Sequence, residues 1–228
     1  MKKPGSSVPP PSSRRRVLVV DDHPFMRAGL ALLINQQADL EVCGEAGNPA
    51  EATTAIAQLR PDVILSDITM PGRSGLEFIK DLHATHPDLP VLVVSMHDES
   101  IYAERVIRAG GRGYIMKEAG GENLLAALRQ VLRGEIYVSP RIASRLVENL
   151  SARRPRGSSS PIESLTDREF EIYRLIGEGR TTRDIAAQLN LSPKTVDVHR
   201  ANLKAKLGLE DMTALVRDAV RWIENQGR

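Results

Sequence analysis

Residues 17–30, VLVVDDHPFMRAGL, set four apolar side chains directly before two aspartates, and follow them with a proline-led stretch of helical spacing. An unbroken apolar run of this length predicts a strand buried on both faces, as in a parallel sheet covered by helices. The same pattern recurs downstream. Short apolar runs at Val63–Leu65, Val91–Val94 and Tyr114–Met116 alternate with helical stretches at about 24–36, 49–60, 74–86, 100–109 and 121–133. One further run, Leu40 to Cys43, alternates apolar and polar residues and suits the edge of a sheet. The first part of the chain therefore reads as an α/β, doubly wound five-stranded parallel sheet.

The carboxylates acquire meaning from that fold. Asp21 and Asp22 follow the first strand, Asp67 the third, Ser95 closes the fourth and Lys117 follows the fifth. All lie at the carboxyl edge of the sheet, where ligands bind at a reversal of strand order. A single such aspartate is usually a turn or helix cap, and a lone lysine is usually a surface group. Five polar groups at four strand ends of one sheet are better explained as a site. Three carboxylates brought together repel unless a cation sits among them, and hard oxygens at this density suit Mg²⁺. Metal, ammonium, hydroxyl and a carboxylate nucleophile together make a centre for phosphoryl transfer.

The blocks VLVVDDHPFMRAGL (17–30), ILSDITMPGRSGLE (64–77), VLVVSMHDE (91–99) and GGRGYIMKEA (110–119) resemble, in order and spacing, the motifs of the response-regulator receiver domain. The resemblance implies a flavodoxin-like receiver over residues 15–135. It implies that Asp67 accepts a phosphoryl group from a sensor histidine kinase. Asp22, Asp67 and the Thr69 backbone carbonyl would ligate Mg²⁺, with Asp21 assisting through water. Ser95 and Tyr114 match the family's switch pair, and Lys117 its phosphate-contacting lysine. Two details depart from the broadest pattern. Glu118 rather than proline follows Lys117, and Thr69 stands two residues past the acceptor, a position that bears on acyl-phosphate lifetime.

Beyond the receiver, a short helix is expected from Ser139-Pro140 to about Leu150. The stretch SARRPRGSSSP (151–161) is basic, rich in Pro, Gly and Ser, and reads as a flexible linker within a connecting segment, 136–163. The leader, residues 1–14, reads as disordered. From Ser164 onward the periodicity is helical throughout. Thr166 to Glu169 forms a capping box, Gly177 and Gly179 end the first helix, and Thr181 with Asp184 opens a second. Ser192-Pro193 supplies an N-cap and a first-turn proline for a third, and a fourth spans roughly 211–224. Helix, tight turn, helix is the skeleton of helix-turn-helix DNA readers. In the third helix Val196, Leu203 and Leu207 face inward with His199 near their border. Lys194, Val198, Ala201 and Ala205 face outward, flanked by Asp197 and Lys204, with Arg200 near the boundary. Periodicity alone also fits a helical bundle that binds another protein.

The stretch from Ser164 to Leu209 resembles the LuxR-type helix-turn-helix domain of NarL/FixJ-type regulators, over about residues 162–226, which implies that 164–228 is a small all-α four-helix DNA-binding domain. The resemblance implies a recognition helix at 192–207 and contacts to double-stranded DNA from Thr182, Arg183, Lys194, Thr195, Asp197, Val198, Arg200, Ala201 and Lys204. It implies a homodimer on activation, paired through the last helix, and leaves RNA polymerase open as a further partner. In the resting form the receiver is expected to cover the recognition helix or to keep two heads from pairing.

Composition constrains the rest. At 228 residues, 41% hydrophobic and 26% charged, the chain reads as globular, with no apolar run near the ~20 residues of a membrane helix. The cytoplasm is the expected compartment, with no membrane partner. Charge is uneven: residues 14–133 hold 13 Lys/Arg against 16 Asp/Glu, residues 151–228 hold 14 against 11. That asymmetry permits nucleic-acid binding but does not argue for it. The lone Cys43 reads as a core residue. An aspartate-nucleophile phosphatase would also need Mg²⁺, but such enzymes place Asp-x-Asp after the first strand, whereas Asp21 and Asp22 are contiguous. At most, slow self-dephosphorylation is expected. A ligand-sensing regulator with the same head would not need Asp22, Asp67, Ser95 and Lys117 together.

Overall fold

In this computed structural model, residues 14–70, 74–151 and 161–226 are described. Most of the expected leader and of the expected linker lies outside them. Strands β1 (Arg15–Val20), β2 (Leu40–Ala46), β3 (Val63–Ser66), β4 (Val91–Ser95) and β5 (Gly113–Met116) form one sheet in the order β2-β1-β3-β4-β5. All pairings are parallel. Helices α1 (Pro24–Asn35), α2 (Pro49–Leu59), α3 (Gly75–Thr85), α4 (Glu99–Arg108) and α5 (Gly121–Leu132) follow the strands in turn. The expected doubly wound sheet is therefore present.

Burial explains the pattern. Along β1, Val17 and Val19 pack with Leu30 and Ile34 of α1 and Leu128 of α5, whereas Leu18 and Val20 pack with Ile56 of α2 and Leu82 of α3. Alternate residues feed two separate cores, so every position must be apolar. β2 occupies the edge, as its alternation predicts, but runs three residues further than expected. Val17 pairs with Val42 and Leu18 with Gly44, so Cys43 is the extra residue of a bulge. Its thiol is half-buried and its pKa is raised by that burial. The opposite edge is covered: Tyr114 N–H donates to the Tyr137 carbonyl at 3.0 Å, and Tyr137 N–H to that of Arg112 at 3.0 Å.

Helix α6 (Pro140–Ser151) packs on α4, with Arg145 donating to the Ser100 carbonyl at 3.0 Å. The C-terminal part holds α7 (Asp167–Gly177), α8 (Thr182–Gln188), α9 (Pro193–Lys206) and α10 (Met212–Gln226). Capping boxes at Thr166/Glu169 and Thr181/Asp184 start α7 and α8, and the Ser192 side chain accepts from Thr195 N–H to start α9. Gly177 lets α7 approach α10: a β-carbon there would lie 2.5 Å from the Ala219 carbonyl oxygen. Among the described residues no helix is long and apolar enough to cross a membrane.

One glycine matters for the site. A β-carbon on Gly75, the first residue of α3, would fall 2.3 Å from the Ile68 carbonyl oxygen, a backbone atom of the segment that follows Asp67. Gly75→Ala must push that segment or α3 aside, and is expected to cost about 1–3 kcal/mol of stability. Urea denaturation of the full chain checks it. An unchanged midpoint would mean that the approach relaxes freely.

Candidate metal centre and nucleic-acid interface

The sheet itself places the acidic residues. Asp21 N–H donates to the Ala46 carbonyl at 3.1 Å and Asp67 N–H to the Val20 carbonyl at 2.8 Å, so both continue the ladder beyond their strands. β1 lies between β2 and β3, which makes this the point where strand order reverses. Asp21, Asp22, His23 and Asp67 offer ligand atoms within 4.8 Å of one another. Asp21 and Asp67 are buried, while Asp22 is partly exposed at the mouth. Lys117 reaches in from the end of β5, its Nζ 2.7 Å from both Asp21 Oδ2 and Asp67 Oδ2. Four of the five strand-end groups thus converge.

The electrostatics follow from burial. Burial pushes the Asp67 carboxyl above its ordinary pKa, against the pull of Lys117 and the Thr69 N–H. Burial alone would lower Lys117, but hydrogen bonds to Asp21 and Asp67 reverse that and hold the ammonium above its usual value. The pair remains an ion pair, because Lys117 faces two carboxylates at contact distance. Asp67 Oδ1 accepts from the backbone N–H groups of Ile68 at 2.6 Å and Thr69 at 3.2 Å. Asp67 Oδ2 has only the lysine, a flexible partner. Asp22 Oδ1 is buried and accepts no hydrogen bond of good geometry, although His23 Nδ1 lies 2.8 Å away. An underused carboxylate oxygen beside two further carboxylates, Asp21 and Asp67, fits a hard divalent cation.

Ser95 is buried, and its Oγ accepts from His97 N–H at 3.2 Å. The Tyr114 ring is turned inward and buried, its hydroxyl donating to the His97 carbonyl at 2.7 Å, and burial drives its pKa upward. Two neighbours went unremarked in the sequence. His23 borders the acidic cluster, and His97 holds the Thr69 hydroxyl at 2.8 Å. Burial, with Arg174 and Lys117 nearby, lowers the His97 pKa to about 4, so its ring is neutral near pH 7. Both lie inside motif blocks, and their adjacency to Asp22 and Ser95 was the available signal. No peptide bond among the described residues is cis, the one after Lys117 included.

In the head, Val196 and Leu203 are buried, while Lys194, Asp197, Val198, Ala201 and Ala205 are exposed, Val198 at 54%. Lys204 and Thr195 are half-buried, and the Thr195 hydroxyl meets that of Ser192 at 2.7 Å. Arg200 donates to Thr182 Oγ1 at 2.5 Å, tying the start of α8 to α9, and Arg183 is exposed. Of the two resting arrangements expected, a receiver lying across the recognition helix is not what the structure has: the outer face of α9 is open. The receiver meets α7 instead, through Arg105 and Lys80 on Asp167.

Both parts of the chain are similar to known proteins. The family model described as "Response regulator receiver domain" matches residues 17–129, and that described as "Bacterial regulatory proteins, luxR family" matches 163–219. The oxygen regulatory protein NreC of Staphylococcus aureus (strain bovine RF122 / ET3-1) is 36% identical over 210 residues, 90% of this chain and 97% of that one. NreC of Staphylococcus carnosus (strain TM300) is 35% identical over the same shares. Among solved structures, the RcsB response regulator of Salmonella typhimurium superposes with a TM-score of 0.69 at 28% identity, over 92% of this chain and 98% of that one. RcsB bound to promoter rprA with the phosphomimetic BeF3⁻ gives 0.66 at 27% identity, over 90% and 98%.

Removing Lys117 would leave two buried carboxylates uncompensated. Lys117→Met is expected to lower stability at neutral pH by roughly 3–5 kcal/mol, with Mg²⁺ restoring part of the loss. Thermal unfolding with and without the cation measures both, and a variant as stable as the parent would count against the brace.

Proposed function

We propose that this chain, which belongs to the two-component response regulators joining a receiver domain to a LuxR-type DNA-binding domain, carries its signal as an acyl phosphate on Asp67 and regulates transcription in response. The observation that carries this reading is Lys117 Nζ at 2.7 Å from both Asp67 and Asp21, at the reversal of strand order. With Oδ1 held by two backbone N–H groups, Oδ2, held only by the Lys117 ammonium, is the oxygen that attacks phosphorus. The new O–P bond forms as the P–N bond of a kinase phosphohistidine breaks, and the imidazole leaves. Lys117 then transfers a hydrogen bond from the carboxylate to a phosphoryl oxygen, and Ser95 turns its hydroxyl to another. Asp21, Asp22, Asp67 and the Thr69 carbonyl would hold Mg²⁺, which when bound neutralises charge on the phosphoryl oxygens.

The partners follow from the same reading. A sensor histidine kinase supplies the phosphoryl group, and duplex DNA receives the outer face of α9. There Lys194, Val198 and Ala201 face the groove, and Thr182, Arg183, Thr195, Asp197, Arg200 and Lys204 lie around them. Small side chains on that face allow close approach to base edges. A head of nearly balanced charge holds few phosphates, so two heads are needed and a homodimer is the binding form. RcsB has been solved as dimers on DNA; the same arrangement is carried over here.

Incubation with acetyl phosphate and Mg²⁺ is expected to give an acid-stable, base-labile label that Asp67→Asn abolishes. Ser95→Ala keeps the label but weakens the DNA response. If the parent chain takes up no label, the reading fails. On DNA, Lys194→Ala is expected to reduce the slope of log affinity against log salt by about 1, read by titration at several salt concentrations.

A further inference from the structure

His97 takes no part in the chemistry just proposed, yet it touches three of the site's residues. Its ring Nε2 holds the Thr69 hydroxyl at 2.8 Å, its N–H reaches Ser95 Oγ at 3.2 Å, and its carbonyl accepts from the Tyr114 hydroxyl at 2.7 Å. The face of the same ring stacks on Tyr102 of α4, with centroids 5.1 Å apart and planes at 23°. Tyr102 meets Phe170 of α7 edge-on at 5.2 Å, and Phe170 meets Trp222 of α10 edge-on at 5.6 Å. Four rings therefore run from the rim of the acidic pocket to the last helix of the head.

Arg105, three residues after Tyr102 on α4, locks this contact from the side. It donates to the carbonyls of Leu165 at 2.9 Å and Ile162 at 2.8 Å and to Asp167 Oδ1 at 3.1 Å, and its guanidinium lies 4.4 Å from the Phe170 ring centroid. Lys80 of α3 adds a second cation on Asp167. Glu171 of α7 is buried and hydrogen-bonds Ser74, beside the start of α3. Charged groups buried this way lose hydration nearly as fast as they gain partners, so docking of this kind has a small net free energy. A small change at one end can then tip it.

We infer that His97 is a positioning residue that links head docking to the state of Asp67: its ring edge is held by Thr69, its backbone by Ser95 and Tyr114, and its ring face supports the Tyr102–Phe170 contact. The inference rests on Asp67 being the phosphoryl acceptor. When Ser95 turns its hydroxyl to a phosphoryl group, His97 N–H loses its acceptor, and the phosphoryl group crowds the Thr69 hydroxyl that holds the ring edge. The ring shifts, and Tyr102 loses the plane it rests on. The docked head therefore belongs to the unmodified acceptor. Because coupling between two sites is reciprocal, undocking the head must in turn strengthen binding at Asp67. What docking restrains is α7 and, through Phe170, α10. The recognition helix is left open.

Trp222 is the chain's one tryptophan, so its emission reports the far end of the ladder. The test is a titration of the full chain with beryllofluoride in Mg²⁺, with bound fluoride followed by ¹⁹F NMR and Trp222 by fluorescence. In the parent chain, binding is expected to shift the emission. Arg105→Gln is expected to show the shifted emission before any ligand is added and to bind beryllofluoride roughly fivefold tighter or more. His97→Gln, which keeps a hydrogen-bonding group but no ring, behaves the same way. Tyr102→Phe preserves the parent behaviour, and Tyr102→Leu does not. Parent-like affinity and emission in both Arg105→Gln and Tyr102→Leu would overturn the link while leaving Asp67 as acceptor. A parent chain that binds no beryllofluoride, with Asp67→Asn indistinguishable from it, would remove the acceptor reading and the link together.

Discussion

The placement of Lys117 between Asp21 and Asp67 is the contact on which the rest depends. Two buried carboxylates that close would repel, and burial alone would drive one of them to take up a proton. A lysine at 2.7 Å from each offsets that repulsion and fixes the end of β5 against the ends of β1 and β3. The carbon skeleton of the sheet supports this indirectly. Every residue of β1 from Val17 to Val20 is fully buried, so the strand cannot slip, and the backbone of Asp21 is pinned by the Ala46 carbonyl. The charge pattern is thus held by an apolar lattice, and a ligand that competes for Lys117 acts on a rigid frame.

That competition has to supply enough free energy to matter. Reversing a two-state equilibrium from 1:99 to 99:1 takes about 5.5 kcal/mol, and one hydrogen bond to a charged group contributes roughly 1.5–3 kcal/mol. Ser95 alone cannot provide the change. On the proposed reading Lys117, Ser95 and the Thr69 N–H would exchange partners together: Lys117 and the Thr69 N–H already touch Asp67, and Ser95 holds the backbone of His97, whose ring bonds Thr69. Short of such a joint exchange, the proposed switch is only partial.

Most of the fold was readable from residue order. The buried runs at 17–20, 63–65 and 91–94 and the caps at Thr166, Thr181 and Ser192 sit where the chain chemistry puts them, because each rests on local sterics or hydrogen bonding. The bulge at Cys43 was not readable: whether a strand pairs straight or with one extra residue is decided by its neighbour. In the site, Asp21, Asp67 and Lys117 were found because strand ends in a parallel sheet converge. His97 was passed over because its significance lies in Tyr102 and Phe170, which are 5 and 73 positions further along the chain. A long-range ring contact leaves no periodic trace. The same holds for Arg105, which reads as one more surface cation on an amphipathic helix until Ile162, Leu165 and Asp167 are seen around it.

The open face of α9 changes how control by the receiver has to work. A receiver lying across the recognition helix would block DNA by exclusion, and a single head set free would suffice. Here Val198, Ala201 and Ala205 are exposed with the head docked, so access to DNA is not what docking withholds. What docking fixes is orientation: Arg105 holds the segment leading into α7, and Gly177 packs α7 tightly on α10. On the proposed reading, two heads would have to present α9 at matching angles to successive grooves of a duplex, a requirement that is geometric rather than electrostatic. Control of orientation also tolerates a marginal interface. A contact built from desolvated charges need only favour one arrangement by a small margin if, as proposed, two chains pair, since pairing would multiply the consequence of a small bias in each.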